Sequence, residues 1–221
     1  MRQIKKLSIF LLVFFSGCFD YQEKIIFAPD FSGVVEISYT VPVYKETGNS
    51  MLKFLPSSES EVKEKYGIYL SAGSFTLKDF TSKTTTAGDD DPFPDRVEVS
   101  YRVLFKEAQV LEHILMGETD VFRRGGYLFI RRKFPASPPL DENSPTFTRN
   151  FHERIVQSFA KHFLSFNIVF PWYYDLVTNY GSFTKPGVHS FQLPLQSTFK
   201  SVSGFTWKIE LKANRPPEGE L

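Results

Sequence analysis

Cys18 is the only cysteine of the chain, and a thiol can serve as nucleophile, metal ligand, disulfide partner or attachment point. A lone cysteine forms no internal disulfide and no thiolate metal cluster. The other groups with chemical potential are scattered. His152, His162 and His189 could act as bases if they converged with a carboxylate or hydroxyl in one cleft. Asp89-Asp90-Asp91, with Asp95 nearby, resembles a calcium loop only in its acidity. An EF-hand needs alternate ligands, a central glycine and a closing glutamate, so the run reads as a solvated loop and no metal is assigned. Arg123, Arg124, Arg131, Arg132 and Lys133 cluster on one predicted hairpin. They read as charge that blunts an exposed edge, or as a seat for an anionic headgroup or partner.

The surroundings of Cys18 decide among its uses. Arg2, Lys5 and Lys6 form a positive n-region, Leu7 to Phe15 an apolar h-region, and Ser16-Gly17 a small pair before the cysteine. The apolar run is shorter than the roughly 20 residues a spanning helix requires, and suits a signal peptide. No A-x-A-like cleavage site follows it. Phe15-Ser16-Gly17-Cys18 instead resembles the bacterial lipobox, with Phe15 where Leu, Val or Ile is usual. That resemblance implies a diacylglyceryl thioether on Cys18, cleavage before it and acylation of the new amino terminus with a palmitate-like chain. The competing reading is a buried free thiol in an uncleaved apolar segment.

Removing residues 1–17 takes away three of the 26 basic residues and none of the 25 acidic ones, leaving a formal charge of about −2. Such a balance gives no electrostatic case for nucleic acid. Without disulfides the exported domain must be held by its core, and the 24 phenylalanines supply large apolar area. They fit a packed interior, or the lining of a lipid cavity.

The elements follow from periodicity. Lys24–Phe27 and Val35–Val41 read as two strands joined around Gly33. Ser58 and Glu61 form a capping box ahead of a helix that stops at Gly67. Ile68–Phe80 reads as a strand, and Thr81–Asp95 as a polar loop. Val97, Val99, Tyr101, Val103 and Phe105 alternate strictly, the clearest strand pattern in the chain. A short helix over Lys106–Leu115 ends at Gly117. Thr119–Arg124 and Tyr127–Phe134 flank Gly125-Gly126 as a hairpin. At about 100° per residue, Phe151, Ile155, Val156, Phe159 and Phe163 share one face, which predicts an amphipathic helix over about 149–165. His152 and His162 fall on that arc ten residues apart, a spacing that does not make a metal pair. Val188–Leu195 and Phe205–Leu211 complete the strands.

These elements predict an α+β fold: an antiparallel sheet with the 149–165 helix and shorter helices packed on one face. The expected division is a signal peptide over 1–17, a lipidated tether over 18–23, one domain over 24–213 and a polar tail over 214–221. The order of Phe31-Ser32-Gly33-Val34, Tyr66-Gly67-Ile68, Phe170-Pro171, Thr178-Asn179 and Trp207 is similar to the LppM-like bacterial lipoproteins, whose α+β domain ends in a Pro–Asn–Gly–Trp series of strands. Here Tyr180 separates Asn179 from Gly181. That pattern implies no catalytic residue. There is also no G-x-S-x-G elbow, H-E-x-x-H, P-loop or dinucleotide glycine motif.

The expectation is a non-catalytic envelope lipoprotein without cofactor. It is tied to a membrane through Cys18 and binds an envelope protein or lipid, with an envelope-associated hydrolase as the alternative. Because Asp20 is not immediately adjacent to Cys18, the outer membrane is favoured over the inner.

Overall fold

The structure, a computed structural model, describes residues 20–52, 54–86, 94–135, 153, 156–157, 160, 162–171, 173–200 and 204–214. Within them the chain forms eleven strands in two sheets, with only short helices between. The strands are β1 (Tyr21–Phe27), β2 (Gly33–Pro42), β3 (Phe75–Thr86), β4 (Asp95–Phe105), β5 (Glu118–Arg124) and β6 (Tyr127–Phe134). They continue with β7 (Phe163–Val169), β8 (Tyr174–Thr178), β9 (Ser182–Lys185), β10 (Val188–Pro194) and β11 (Phe205–Ala213). Seven form one sheet in the order β3-β4-β2-β1-β7-β10-β9, and four form the second in the order β5-β6-β11-β8.

The predicted α+β layering, with a long helix over one sheet, is therefore replaced by a mostly β fold. Phe163–Ser165, the end of the expected 149–165 helix, instead opens β7, which pairs with β1 on one side and β10 on the other. Most of the remaining helix positions, including His152, lie outside the described residues, and no described helix exceeds the seven residues of α1 (Glu59–Lys65). Phe163 fits the helical arc, but Leu164, Phe166 and Ile168 are buried at alternate positions. That period of two is what a strand paired on both edges requires. The antiparallel expectation also fails at one place, since β1 and β7 run parallel. Their connection passes through the second sheet, long enough for the crossover that a parallel pair needs.

Local chemistry explains the elements that were legible. Ser58 accepts from the Glu61 backbone N–H at 3.3 Å while the Glu61 carboxylate accepts from Ser58 N–H at 3.2 Å, the reciprocal capping box. The β1–β2 hairpin turns through Phe31, held at φ 66°. At its close Gly33 passes so near the Ile26 carbonyl that a Cβ would sit 2.0 Å from its oxygen, so no other residue fits there. Two boundaries move. Gly67 does not end the helical segment but opens a second short helix, α2 (Gly67–Ser71). β3 starts only at Phe75 and runs through Thr86, taking the first part of the expected polar loop as an edge strand.

The inner face of β1, β7 and β10 packs on the second sheet, with Phe166 5.5 Å from Phe134 and 5.6 Å from Trp207 between ring centroids. The β2–β4 half is covered instead by α1 and α2: Tyr66 is buried and meets Phe75 edge-on at 5.5 Å and Tyr101 at 6.5 Å.

A charged pair sits in this interior. Glu23 of β1 and Arg132 of β6 are 1% and 0% exposed, and bond across the two sheets at 2.6 and 3.1 Å. Glu23 also accepts from the Tyr21 hydroxyl at 3.0 Å and from Met116 N–H at 3.2 Å. Arg132 donates to the Met116 carbonyl at 2.6 Å, and its guanidinium lies 4.6 Å from the Phe166 ring centroid. The expected all-exposed basic cluster on this hairpin is thus corrected at Arg132.

Arg132→Ala leaves Glu23 buried without its cation and should cost about 3–5 kcal/mol, seen as a lower urea midpoint. The pair replacement Glu23→Leu with Arg132→Met should recover most of that loss, since an apolar pair leaves no buried charge. A second expectation concerns alkali. Burial raises the hydroxyl pKa of Tyr21, Tyr39 and Tyr101, and that of Tyr66 to about 12. The native state holds these protons longer than the unfolded chain, so their stabilisation is complete below pH 10 and is lost as pH rises through the native values. Unfolding midpoints should be level up to about pH 9 and fall beyond pH 10, with the share of tyrosinate absorbance that comes from the buried tyrosines appearing together with unfolding.

Candidate functional site

Cys18 and His152 lie outside the described residues, as do Asp89, Asp90 and Asp91. Asp95, predicted beside them in a loop, instead begins β4, and its carbonyl accepts from Val43 N–H at 3.0 Å. Among the described residues no three His, Cys, Asp or Glu side chains gather as a metal site.

The described chain begins at Asp20, already tied down on two sides. Its carbonyl accepts from Thr40 N–H at 3.0 Å, and its carboxylate lies 3.2 Å from Nδ1 of the buried His162. Tyr21 follows as a buried strand residue, three positions before the strand start expected at Lys24. Asp20 also walls a polar groove of about 680 Å³ on the outer face of the large sheet, with Gln22, Thr40, Thr85, Arg96 and Glu98. Hydroxyls and mixed charges line it, and it is open to solvent.

His189 is in a different setting. It is 1% exposed, with Phe183 5.4 Å away edge-on and Trp207 stacked at 6.4 Å. Neither ring nitrogen has a hydrogen-bond partner among the described residues. His189 pairs with Ile168, whereas Pro194 pairs with Phe163 beside His162. At about 3.3 Å per strand residue, roughly 20 Å of β7 separates the two histidines. They do not share a cleft.

The residues behind the Pro–Asn–Gly–Trp resemblance come together as a structural unit. The indole N–H of the buried Trp207 donates to Thr178 Oγ1 at 2.8 Å. The Asn179 side chain donates to the Thr206 carbonyl at 2.9 Å and accepts from Lys208 N–H at 2.8 Å, extending the β8–β11 ladder past the end of β8. Gly181, at φ 88°, passes so close to His189 that a Cβ would lie 2.4 Å from its Cε1. The series fixes a corner of the second sheet and presents no reactive group.

On the outer face of that sheet, Phe122 and Phe129 stack at 4.8 Å above an apolar groove of about 430 Å³ that includes Val177 and Ile209. Of the predicted basic cluster Arg131 lines this groove, and three exposed members have neighbours of their own. Arg131 pairs with Asp120 at 2.6 Å, Lys133 approaches Glu118 at 4.0 Å, and Arg123 lies 4.8 Å from the Phe31 ring centroid. The edge is further blunted because the Val121 N–H of edge strand β5 donates to Glu112 at 2.7 Å. Glu23 was not singled out from sequence, and Arg132 only as one of the hairpin's basic cluster. The available signal was their parity, on the inward-facing positions of Tyr21-Glu23-Ile25-Phe27 and Leu128-Ile130-Arg132-Phe134.

Burial lowers the His189 pKa below its ordinary 6.5. The native state holds the neutral ring, so its stabilisation is complete above pH 6.5 and is lost as pH falls through the native value. The urea midpoint should drop between pH 7.5 and pH 5, and His189→Leu should flatten that drop; an unchanged pH profile in the variant would refute the assignment.

No curated protein matches the chain. Among solved structures, it is similar to the folded domain of LppM from Mycobacterium tuberculosis, determined by NMR, with a TM-score of 0.47 and 13% identity over 90% of this chain and 92% of that one. Residues 13–215 match the LIC11874-like family, and by that match over most of its length the chain belongs to the LIC11874-like family.

Proposed function

We propose that the protein is an envelope lipoprotein: Cys18 carries the lipid, residues 1–17 are removed, and the β domain binds a protein partner at the membrane without catalysis. The observation that carries the reading is the sequence at the amino terminus, where a basic n-region, a short apolar run and Phe15-Ser16-Gly17 lead to the sole cysteine. The position of Asp20 supports it, since this residue, two after the proposed attachment point, is already held by the fold. The outer membrane remains the favoured destination, on the ground that Asp20 is not next to Cys18.

A protein partner is preferred to an enclosed lipid. Phe27, Phe31, Phe105, Phe134, Phe166 and Phe191 pack against other rings within the core, and the grooves described above are open surface features. The non-catalytic reading is supported by the separation of His162 from His189.

Metabolic labelling with a fatty-acid analogue tests the anchor. The wild-type chain should incorporate label and fractionate with membranes, and Cys18→Ala should do neither. Label retained in the variant would overturn the reading.

A further inference from the structure

We infer that the Asp20 end of the molecule is a bilayer-docking surface, resting on the headgroups of the membrane that holds Cys18. The inference rests on the lipid-anchor reading above and adds an orientation to it. The first ground is reach. A chain spans at most about 3.6 Å per residue, so the Cys18 and Asp20 Cα atoms stand no more than about 7 Å apart. Asp20 is fixed by Thr40 and His162, which leaves Phe19 alone between the lipidated residue and the fold. So short a link allows little freedom to swing another face toward the membrane.

Strand direction supplies the second ground. The amino-terminal end of β1 lies at the end of the sheet toward which β2 runs, because the two are antiparallel. Past Thr40, β2 continues through Pro42 into a loop closed by the Val43–Ser50 bridge and by Gly48 N–H donating to the Tyr44 carbonyl at 2.7 Å. That loop lies beyond Asp20 at the same end of the sheet. Because β7 is parallel to β1, and Leu164 pairs with Tyr21, Phe163 lies level with Asp20. Tyr44, Phe54 and Phe163 are 52%, 55% and 39% exposed. Phe54 joins them because Met51 N–H donates to the Pro42 carbonyl, which holds its segment at the same end.

The chemistry of this surface fits interfacial contact. Aromatic side chains with one wet edge settle at the headgroup level, and the near-neutral mature chain has no need of anionic lipid. The contact is accordingly expected in zwitterionic bilayers and to persist at high salt, where exposed charge attraction is screened.

The test uses the full lipid-anchored chain in phosphatidylcholine vesicles. Single cysteines replace Tyr44, Phe54 or Phe163, and, as references on other faces, Phe122 or Phe183. Each carries an environment-sensitive fluorophore, and quenching by nitroxide-labelled phosphatidylcholine is measured in 0.1 and 1 M salt. The expected result is at least threefold stronger quenching at positions 44, 54 and 163 than at 122 and 183, equal at both salt concentrations. Equal quenching at all five positions, or stronger quenching at 122 or 183, in chains that float with vesicles would overturn the orientation while leaving the anchor intact. A chain that fails to float and whose Cys18 reacts with maleimide would overturn the anchor and the orientation together. Circular dichroism matching the wild type in each variant restricts the comparison to folded protein.

Discussion

The buried pair Glu23–Arg132 is the contact on which the relation between the two sheets depends. Two charges removed from water are costly unless each is paired and its remaining hydrogen-bonding capacity is met. Here the carboxylate takes bonds from Arg132, the Tyr21 hydroxyl and the Met116 N–H, while the guanidinium also reaches the Met116 carbonyl and the Phe166 ring. These groups come from β1, β6, the loop before β5 and β7. Any sliding of one sheet over the other would break the pair and leave both charges stranded. The aromatic contacts around it are permissive by comparison, because rings tolerate several offsets. The ion pair selects a single register among them.

That constraint connects to the amino terminus. Glu23 lies three residues after Asp20, and its strand, which begins next to Asp20, is the fourth of seven in the large sheet. β1 is bonded to β2 along its whole length and to β7 over nearly as much of it. A force applied at Cys18 would therefore enter an interior strand clamped on both edges and pinned to the second sheet. An amino-terminal edge strand would peel from the sheet far more easily. The proposed attachment point precedes by three residues the strand that carries Glu23.

Much of the local structure was legible. Alternation over Val97–Phe105, the Gly125-Gly126 hairpin and the Ser58–Glu61 cap are short-range statements, since the residues that decide them are neighbours in sequence. The failures share one cause. The apolar residues near Phe163 satisfy a helical arc and a strand period at once, and Thr81–Thr86 carries polar residues suited to a loop or to an edge. Which option holds is set for β7 by β1, more than a hundred residues away, together with β10 on its other edge, and for the edge by the fit of β3 against β4. Arg132 was misplaced with its neighbours for the same reason: its charge is visible in sequence, but its partner is 109 residues distant.

The sequence by itself determined the basic stretch and apolar run ahead of a solitary cysteine, the absence of internal disulfides, and the β1–β2 and β5–β6 hairpins. These depend on composition, on covalent order or on contacts within a few residues. Only the tertiary structure decided that the fold is a two-sheet β assembly, that β1 and β7 run parallel, that Glu23 and Arg132 meet, and that His162 and His189 stand apart. Strand pairing satisfies backbone hydrogen bonds between distant segments, so its outcome is a property of the whole chain that no local window contains.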